Sequence, residues 1–220
     1  MSFNAAQRAI LLRAAKKSKD MTQDQRIKKL EKTLYPSIEK KSRDVRATVA
    51  PISSSGYNNQ PMFQLEQGDE KNQRVGDKVC LTEHRFKCLV KKADGNNLMR
   101  IILAVTPSTT ALSIGSVLEY GNYTTDAEQV FISPYKRVPS TAENTYQILY
   151  DKVVNLNDDQ ASFEIDKRIK CGKYGKQVSF NSAGSVMPEN YHLCLLAISD
   201  STAASHPTIS YVLRSKYTDL

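Results

Sequence analysis

The chain of 220 residues contains no tryptophan, only three histidines and only four cysteines. No two cysteines stand in a C-x-x-C pair, which argues against a zinc site of the ribbon or finger type. Three of the four lie in apolar or alternating segments, where a free thiol packs as a small hydrophobic side chain. We therefore expect reduced, buried thiols at Cys80, Cys88, Cys171 and Cys194, without disulfides or zinc.

Long apolar runs are also missing. No segment approaches the roughly 18 consecutive apolar residues of a membrane span. The first twenty residues lack the apolar stretch and the small-residue cleavage site of a secretory signal. We expect a protein that is synthesised in the cytosol and has no membrane partner.

The sequence has none of the common catalytic signatures. It contains no G-x-S-x-G, no P-loop, no H-E-x-x-H and no G-x-G-x-x-G. His84, His192 and His206 are scattered, and two of them fall in strand-like segments, where a histidine is usually structural. No cysteine stands at a recognisable nucleophile–base spacing from a histidine. We predict a protein that is not an enzyme.

The positive charge of the chain is concentrated at its N-terminus. Residues 1–46 contain 13 Lys or Arg against five acidic residues, which accounts for the whole formal net charge of +8. The remaining 174 residues carry 18 basic and 18 acidic side chains and are formally neutral. This distribution predicts a basic arm that binds polyphosphate, the alternative being a merely solvated helical tail. The candidate phosphate-binding residues are Arg8, Arg13, Lys16, Lys17, Lys19, Arg26, Lys28, Lys29 and Lys32.

The arm also has a helical pattern. Residues 5–19 contain no Gly or Pro and are rich in Ala, Leu, Arg and Lys, which are strong helix formers. A second helix is predicted after Thr22, which stands in capping-box spacing from Gln25, and it should end before Pro36. A helix lying on a membrane surface is the competing interpretation, but the apolar stripe is narrow and poor in bulky residues.

Residues 47–220 read as a β domain. The segment KVCLTEHRFKCLVKK, at 78–92, alternates apolar and polar residues, with a change of phase near 82–84 that predicts a β-bulge. Similar segments recur to the C-terminus, and only residues 110–122 show a short helical pattern. About eight strands with long connections favour an all-β sandwich or jelly roll. We therefore divide the chain into a basic arm, 1–46, and a shell-like β domain, 47–220.

One motif is more specific. Residues 68–77 read G-D-x-x-N-Q-R-x-G-D, with His84 shortly after, VLE and YQILYDKVVNL downstream, and YTD near the end. Over about residues 46–220 the chain resembles the coat proteins of satellite tobacco necrosis virus and its relatives. Similar coats occur in small circular single-stranded DNA viruses.

The resemblance implies an eight-stranded jelly roll, formed by two four-stranded antiparallel sheets. Sixty copies would close into a T=1 icosahedral shell, with the arm inside on a single-stranded RNA or DNA genome. The protein would then be a virion component, made in the host cytoplasm and assembled there or in the nucleus. The residues themselves leave two alternatives open, a non-assembling nucleic-acid-binding β domain and a sugar-binding sandwich.

The resemblance also implies calcium (Ca2+) at subunit contacts. Carried over to this chain, Asp69 would meet its symmetry copies at a threefold axis, and the backbone oxygens of Val75 and Lys78 would form a second site with Asp219. Calcium takes six to eight oxygen ligands, which three carboxylates and water can supply. The alternative is that Asp69 and Asp77 cap turns around glycines. We favour the turn at Asp77, and both interpretations stay open at Asp69.

Overall fold

The computed structural model describes residues 40–93, 95–137, 146–172, 175–202 and 205–220, together with residue 23 and residues 25–27. The chain divides into two compact units, Met1–Lys40 and Lys41–Leu220. In the first unit, residues 23 and 25–27 are helical, where the second helix is predicted. The helix predicted over residues 5–19 lies outside the described residues.

The described part of the second unit contains nine strands and three short helices. The strands are β1 (Lys41–Pro51), β2 (Tyr57–Asn59), β3 (Lys78–Lys91), β4 (Asn97–Thr106), β5 (Gln147–Leu156), β6 (Ser162–Lys170), β7 (Lys176–Ser179), β8 (His192–Ser199) and β9 (Thr208–Asp219). The helices are α1 (Ile114–Val117), α2 (Tyr123–Asp126) and α3 (Gln129–Ile132).

The strands form two antiparallel sheets. Sheet A has the order β1-β9-β3-β6, with β7 also paired to β3, and sheet B has the order β2-β8-β4-β5. Strand β6 pairs with residues 83–91 of β3, and β7 pairs with residues 78–81 of the same strand. Strands β6 and β7 therefore occupy one position in the sheet, as a single interrupted strand. Each sheet then has four strand positions. Two four-stranded antiparallel sheets with this strand order form an eight-stranded jelly roll. The predicted all-β fold class is confirmed.

Strand β3 shows how the sequence produces this arrangement. Phe86, Cys88 and Val90 are buried, while Arg85 and Lys87 between them are exposed. The register between β3 and β9 shifts between Leu81 and Glu83, which confirms the predicted bulge. Because side chains alternate across a strand, the extra residue moves the apolar set back onto the inner face.

The described residues form two hydrophobic cores. The larger one lies between the sheets and includes Phe63, Phe86 and Leu213. The second lies on the other face of sheet B, where Ile102 and Leu196 pack against Phe131 and other apolar residues of the β4–β5 connection. This connection, described over residues 107–137, carries the three helices. Sheet B is therefore buried on both faces, which explains why β8 is apolar almost throughout and buried at every position.

A buried arginine fixes the β4–β5 connection to sheet B. Arg100 on β4 donates to the carboxylate of Asp151 on β5, with the closest contact at 2.7 Å, and to the carbonyls of Val130 and Ser133 at 2.7 and 3.0 Å. Tyr135 donates a further hydrogen bond to Asp151 at 2.6 Å. The outer covering of sheet B is thus held by charge-assisted hydrogen bonds as well as by apolar packing.

The first strand begins earlier than the predicted domain boundary. Residues 41–46, which the charge distribution placed in the arm, pair with residues 212–217 of β9. Val45 packs against the main core, and Asp44 forms an ion pair with Arg214 across the strands, so this polar segment is compatible with a sheet edge. Residues 1–40 then contain ten Lys or Arg and four acidic residues, a net charge of +6.

None of the four cysteines, all of which lie in the described residues, forms a disulfide. Cys88 and Cys194 are buried, as expected, and burial raises the pKa of each thiol to about 12. Cys80 and Cys171 are only partly buried. Cys171 lies directly after β6, where the strand is interrupted before β7, and Cys80 lies on the part of β3 that pairs with β7. Within the part of the chain that the structure describes, no helix is long and apolar enough to cross a membrane.

Candidate functional site

The outer face of sheet A is lined by charged side chains. We call the outward side chains of residues 42–46, 83–91, 162–170 and 208–216 the basic face; all lie within the described residues. The face carries eight basic residues, Arg46, Arg85, Lys87, Lys91, Arg168, Lys170, Arg214 and Lys216, and four acidic ones, Asp44, Glu83, Glu164 and Asp166. Its net charge of +4 exceeds the +2 that 21 basic and 19 acidic residues give the whole of Lys41–Leu220.

Three of the four acidic groups of the basic face, Glu83, Asp44 and Asp166, are less exposed than the cations they pair with. The side chain of Glu83 is only 9% exposed, whereas those of its partners Arg168 and Lys216 are 63% and 51% exposed. Burial opposes ionisation of Glu83, but hydrogen bonds and positive charge from these two partners outweigh it and lower the pKa of the carboxyl. The carboxylate therefore anchors the two cations while they remain in contact with solvent.

The same arrangement occurs at two other positions. Asp44 accepts two hydrogen bonds of 2.7 Å from the exposed guanidinium of Arg214, and these lower the pKa of Asp44. The hydrogen bond from Arg85 holds the pKa of Asp166 at about 2, and Lys87 lies 3.2 Å from the same carboxylate. These pairs keep the cationic side chains ordered on the flat strand surface.

Three further cations of the basic face are exposed and form no ion pair. Arg46, Lys91 and Lys170 lie within ion-pair distance of no acidic residue that the structure describes. None of the outward side chains of the face is aromatic, so it offers no platform on which a base could stack. Exposed guanidinium and ammonium groups bind phosphate without reading base sequence. The geometry therefore suits the backbone of a nucleic acid.

Most of the phosphate-binding residues predicted in the arm lie outside the described residues. These are Arg8, Arg13, Lys16, Lys17, Lys19, Lys28, Lys29 and Lys32. Arg26 is described, and it is helical and exposed. Sequence reasoning missed the basic face, because the residues 47–220 that contain most of it are neutral in sum and its charges come from four separate strands.

The G-D-x-x-N-Q-R-x-G-D motif is organised by a buried arginine. We call residues 66–77 the Arg74 loop. Arg74 is fully buried and donates to the carbonyls of Gly76 at 2.6 Å, Ser182 at 2.7 Å and Ser185 at 2.9 Å. Its guanidinium lies 4.3 Å from the centre of the Phe180 ring. No local pattern marks this role, since most of the acceptors lie more than 100 residues downstream.

The two aspartates of the motif have different environments. Asp77 accepts a hydrogen bond of 3.1 Å from Arg74, and its carbonyl accepts one of 2.8 Å from the backbone N–H of Phe180, so it serves the loop structure. Asp69 is exposed at a shallow depression beside Gly184. The described residues contain no group of three or more His, Cys, Asp or Glu that could hold a metal ion. Calcium at Asp69 would need other copies of the chain and stays a prediction.

Val75, Lys78 and Asp219 do lie close together. Asp219 pairs in register with Val79, and its Oδ1 accepts a hydrogen bond of 3.2 Å from the backbone N–H of Val75. The strand pairing of β3 with β9 is what brings the C-terminus to this loop.

The oxygens of this second set already have partners within the subunit. The Val75 carbonyl accepts a hydrogen bond of 2.8 Å from Gln67 Nε2, and the Lys78 carbonyl accepts one of 3.2 Å from the backbone N–H of Leu220. Asp219 Oδ2 lies 2.9 Å from the ammonium of Lys41. A calcium ion needs several free oxygens that converge on one point. Asp219, the only charged ligand of the set, is therefore already neutralised by a lysine of the same subunit, which disfavours calcium there.

His84 is part of a buried polar cluster between the sheets. Its Nδ1 lies 2.7 Å from Ser215 Oγ and its Nε2 lies 3.0 Å from Tyr191 Oη, and its ring meets Phe63 edge-on. Burial lowers the pKa of His84 to about 3, so the ring is neutral at physiological pH. Both ring nitrogens are satisfied inside the core, which is the arrangement of a structural histidine.

Comparisons with known proteins give little further information. No protein-family model and no curated protein matches the chain. A solved structure from Desmodium yellow mottle tymovirus aligns at 8% identity over 82% of this chain and 87% of that one, with a TM-score of 0.35. A structure of T=1 particles derived from infectious bursal virus aligns at 10% identity over 82% and 40%, with a TM-score of 0.17. Superpositions this loose carry no functional argument.

Proposed function

We propose that the chain is a viral coat subunit that assembles into a small closed shell and packages single-stranded nucleic acid. The observation that carries the proposal is the basic face. The two outer faces of this jelly roll differ chemically. The β4–β5 connection covers the outer face of sheet B, whereas the outer face of sheet A exposes the cations of the basic face. Jelly rolls are a common architecture of viral capsid domains, and in a shell the cationic side would face the genome.

The charge of the two basic elements supports packaging. Residues 1–40 contribute +6 and the basic face contributes +4, so these two elements together bring ten net positive charges per subunit, and the other residues carry −2. In a shell of sixty copies this amounts to on the order of 600 charges, if each neutralises one phosphate. The 220 codons of this sequence alone span 660 nucleotides. The two numbers are similar, whereas the +8 of the predicted arm alone falls well short.

We also propose that the Arg74 loop is an intersubunit joint. Asp69 is exposed beside a depression, and three symmetry-related copies of its carboxylate would repel unless a cation lay between them. Calcium is the cation that the sequence resemblance suggests for this position. The buried Arg74 would hold the loop in one conformation while its outer residues make the contact.

The experiment that tests the proposal is the size and content of the purified protein. Gel filtration, electron microscopy and the ratio of absorbance at 260 and 280 nm should show uniform closed particles that contain nucleic acid. A monomer that binds nucleic acid in a salt-sensitive way would instead support the non-assembling β domain. A monomer without such binding would refute both and return attention to a sugar-binding sandwich.

A further inference from the structure

A buried lysine is bound to the one carboxylate of the second predicted calcium site, Asp219. Lys41 is the first residue of β1, and its side chain is only 2% exposed. Its ammonium lies 2.9 Å from Asp219 Oδ2 and donates to the carbonyl of Gln73 at 3.1 Å. One positive charge is therefore coordinated by a carboxylate and a backbone carbonyl, which are also the oxygen types that bind calcium.

This contact joins three parts of the subunit that are far apart in sequence. Lys41 belongs to the edge strand of sheet A, Gln73 belongs to the Arg74 loop, and Asp219 lies at the end of β9. The carboxylate of Asp219 also accepts from the backbone N–H of Val75. Its two oxygens are thus satisfied by the chain itself, and the buried ammonium is compensated by a full negative charge.

We propose that the Lys41 ammonium is the built-in cation of this site. It neutralises Asp219 as a bound calcium ion would, so the contact between β1, the Arg74 loop and the end of β9 does not depend on divalent metal. This inference concerns the folded subunit and stands whether or not the chain assembles. It also removes Lys41 from the charges that can contact phosphate, although the sequence places it in the basic arm.

The test is thermal unfolding of the full-length chain in millimolar calcium and in EDTA. All variants carry Asp69→Asn, so that any metal at that separate carboxylate is absent. The parent should have the same melting temperature in both solutions. Lys41→Met keeps the length of the side chain but leaves the Asp219 carboxylate without its cation, so the melting temperature in EDTA should fall by about 5 °C. Calcium should then restore part of this loss by entering the vacated site.

Lys40→Met is the matched control, because this neighbouring lysine is exposed and the substitution removes the same charge. It should change neither the melting temperature nor the response to calcium. If Lys41→Met fails to fold, Lys41→Met with Asp219→Asn removes the uncompensated carboxylate and should recover a folded, calcium-insensitive chain. The proposal is wrong if calcium stabilises the parent, if Lys41→Met behaves as Lys40→Met does, or if calcium leaves Lys41→Met unchanged.

Discussion

Replacing three lysines of the basic face by glutamine should weaken the binding of single-stranded nucleic acid and reduce its salt dependence. Lys87, Lys91 and Lys170 lie on the adjacent strands β3 and β6, and all are exposed. Exposed substitutions of this kind change the free energy of unfolding by no more than about 0.5 kcal/mol. A change in binding can therefore be separated from a change in folding.

The size of the effect follows from the number of phosphates that the variant no longer neutralises. Each neutralised phosphate of a single strand contributes about −0.7 to the slope of log K against log salt concentration. If each lysine neutralises one phosphate, the triple substitution should make the slope shallower by about 2. At about 0.1 M salt the same change corresponds to a roughly hundredfold weaker association constant.

The assay is fluorescence anisotropy of a labelled single-stranded homopolymer with the full-length chain, at salt concentrations that span the binding transition. The matched control replaces Lys136, Arg137 and Lys152 by glutamine, since these residues are exposed, lie away from the basic face and carry the same total charge. If both triple variants show the same reduction in slope, only net charge matters. If the basic-face variant keeps the wild-type slope, the face does not contact phosphate. Either result would refute the assignment.

Three further predictions concern residues inside the fold and at the loop. Burial lowers the pKa of His84 to about 3, whereas the pKa of an unfolded histidine is near 6.5. As the pH falls, the unfolded chain therefore binds the proton first. The contribution of His84 to stability is complete above pH 6.5 and declines as the pH falls toward 3. At pH 5 the free energy of unfolding, measured in urea, should be lower by about 2 kcal/mol. His84→Gln should not show this decrease, whereas the control His206→Gln should show it in full. Identical pH profiles in all three proteins would contradict the assignment. Arg74→Met leaves several buried carbonyls without a donor and should lower the free energy of unfolding by about 3–5 kcal/mol, whereas Arg85→Lys, at an exposed position, should cost less than about 1 kcal/mol. In sedimentation, wild-type particles should loosen in chelator more than Asp69→Asn particles do, because Asn removes the carboxylate repulsion; an equal response would leave Asp69 as a turn residue.

The sequence determined the local features of this protein. The alternation in β3 depends only on side chains pointing to opposite faces at successive residues, so both the buried set and the bulge before Glu83 could be predicted. Composition located the surplus of basic residues at the N-terminus. Each of these signals is contained in a short segment and needs no partner.

The tertiary structure decided which distant residues meet. Arg85 on β3 and Asp166 on β6 are 81 residues apart, and only the order of strands in sheet A places them side by side on one basic face. In the sequence, Lys41 is one more cation of the arm. In the fold, the pairing of β1 with β9 brings it to the side-chain carboxylate of Asp219. In the sequence, a lysine that stays exposed to solvent or phosphate cannot be distinguished from one that forms a buried ion pair. The difference between them is the free energy of contacts made across the fold, which no short segment encodes.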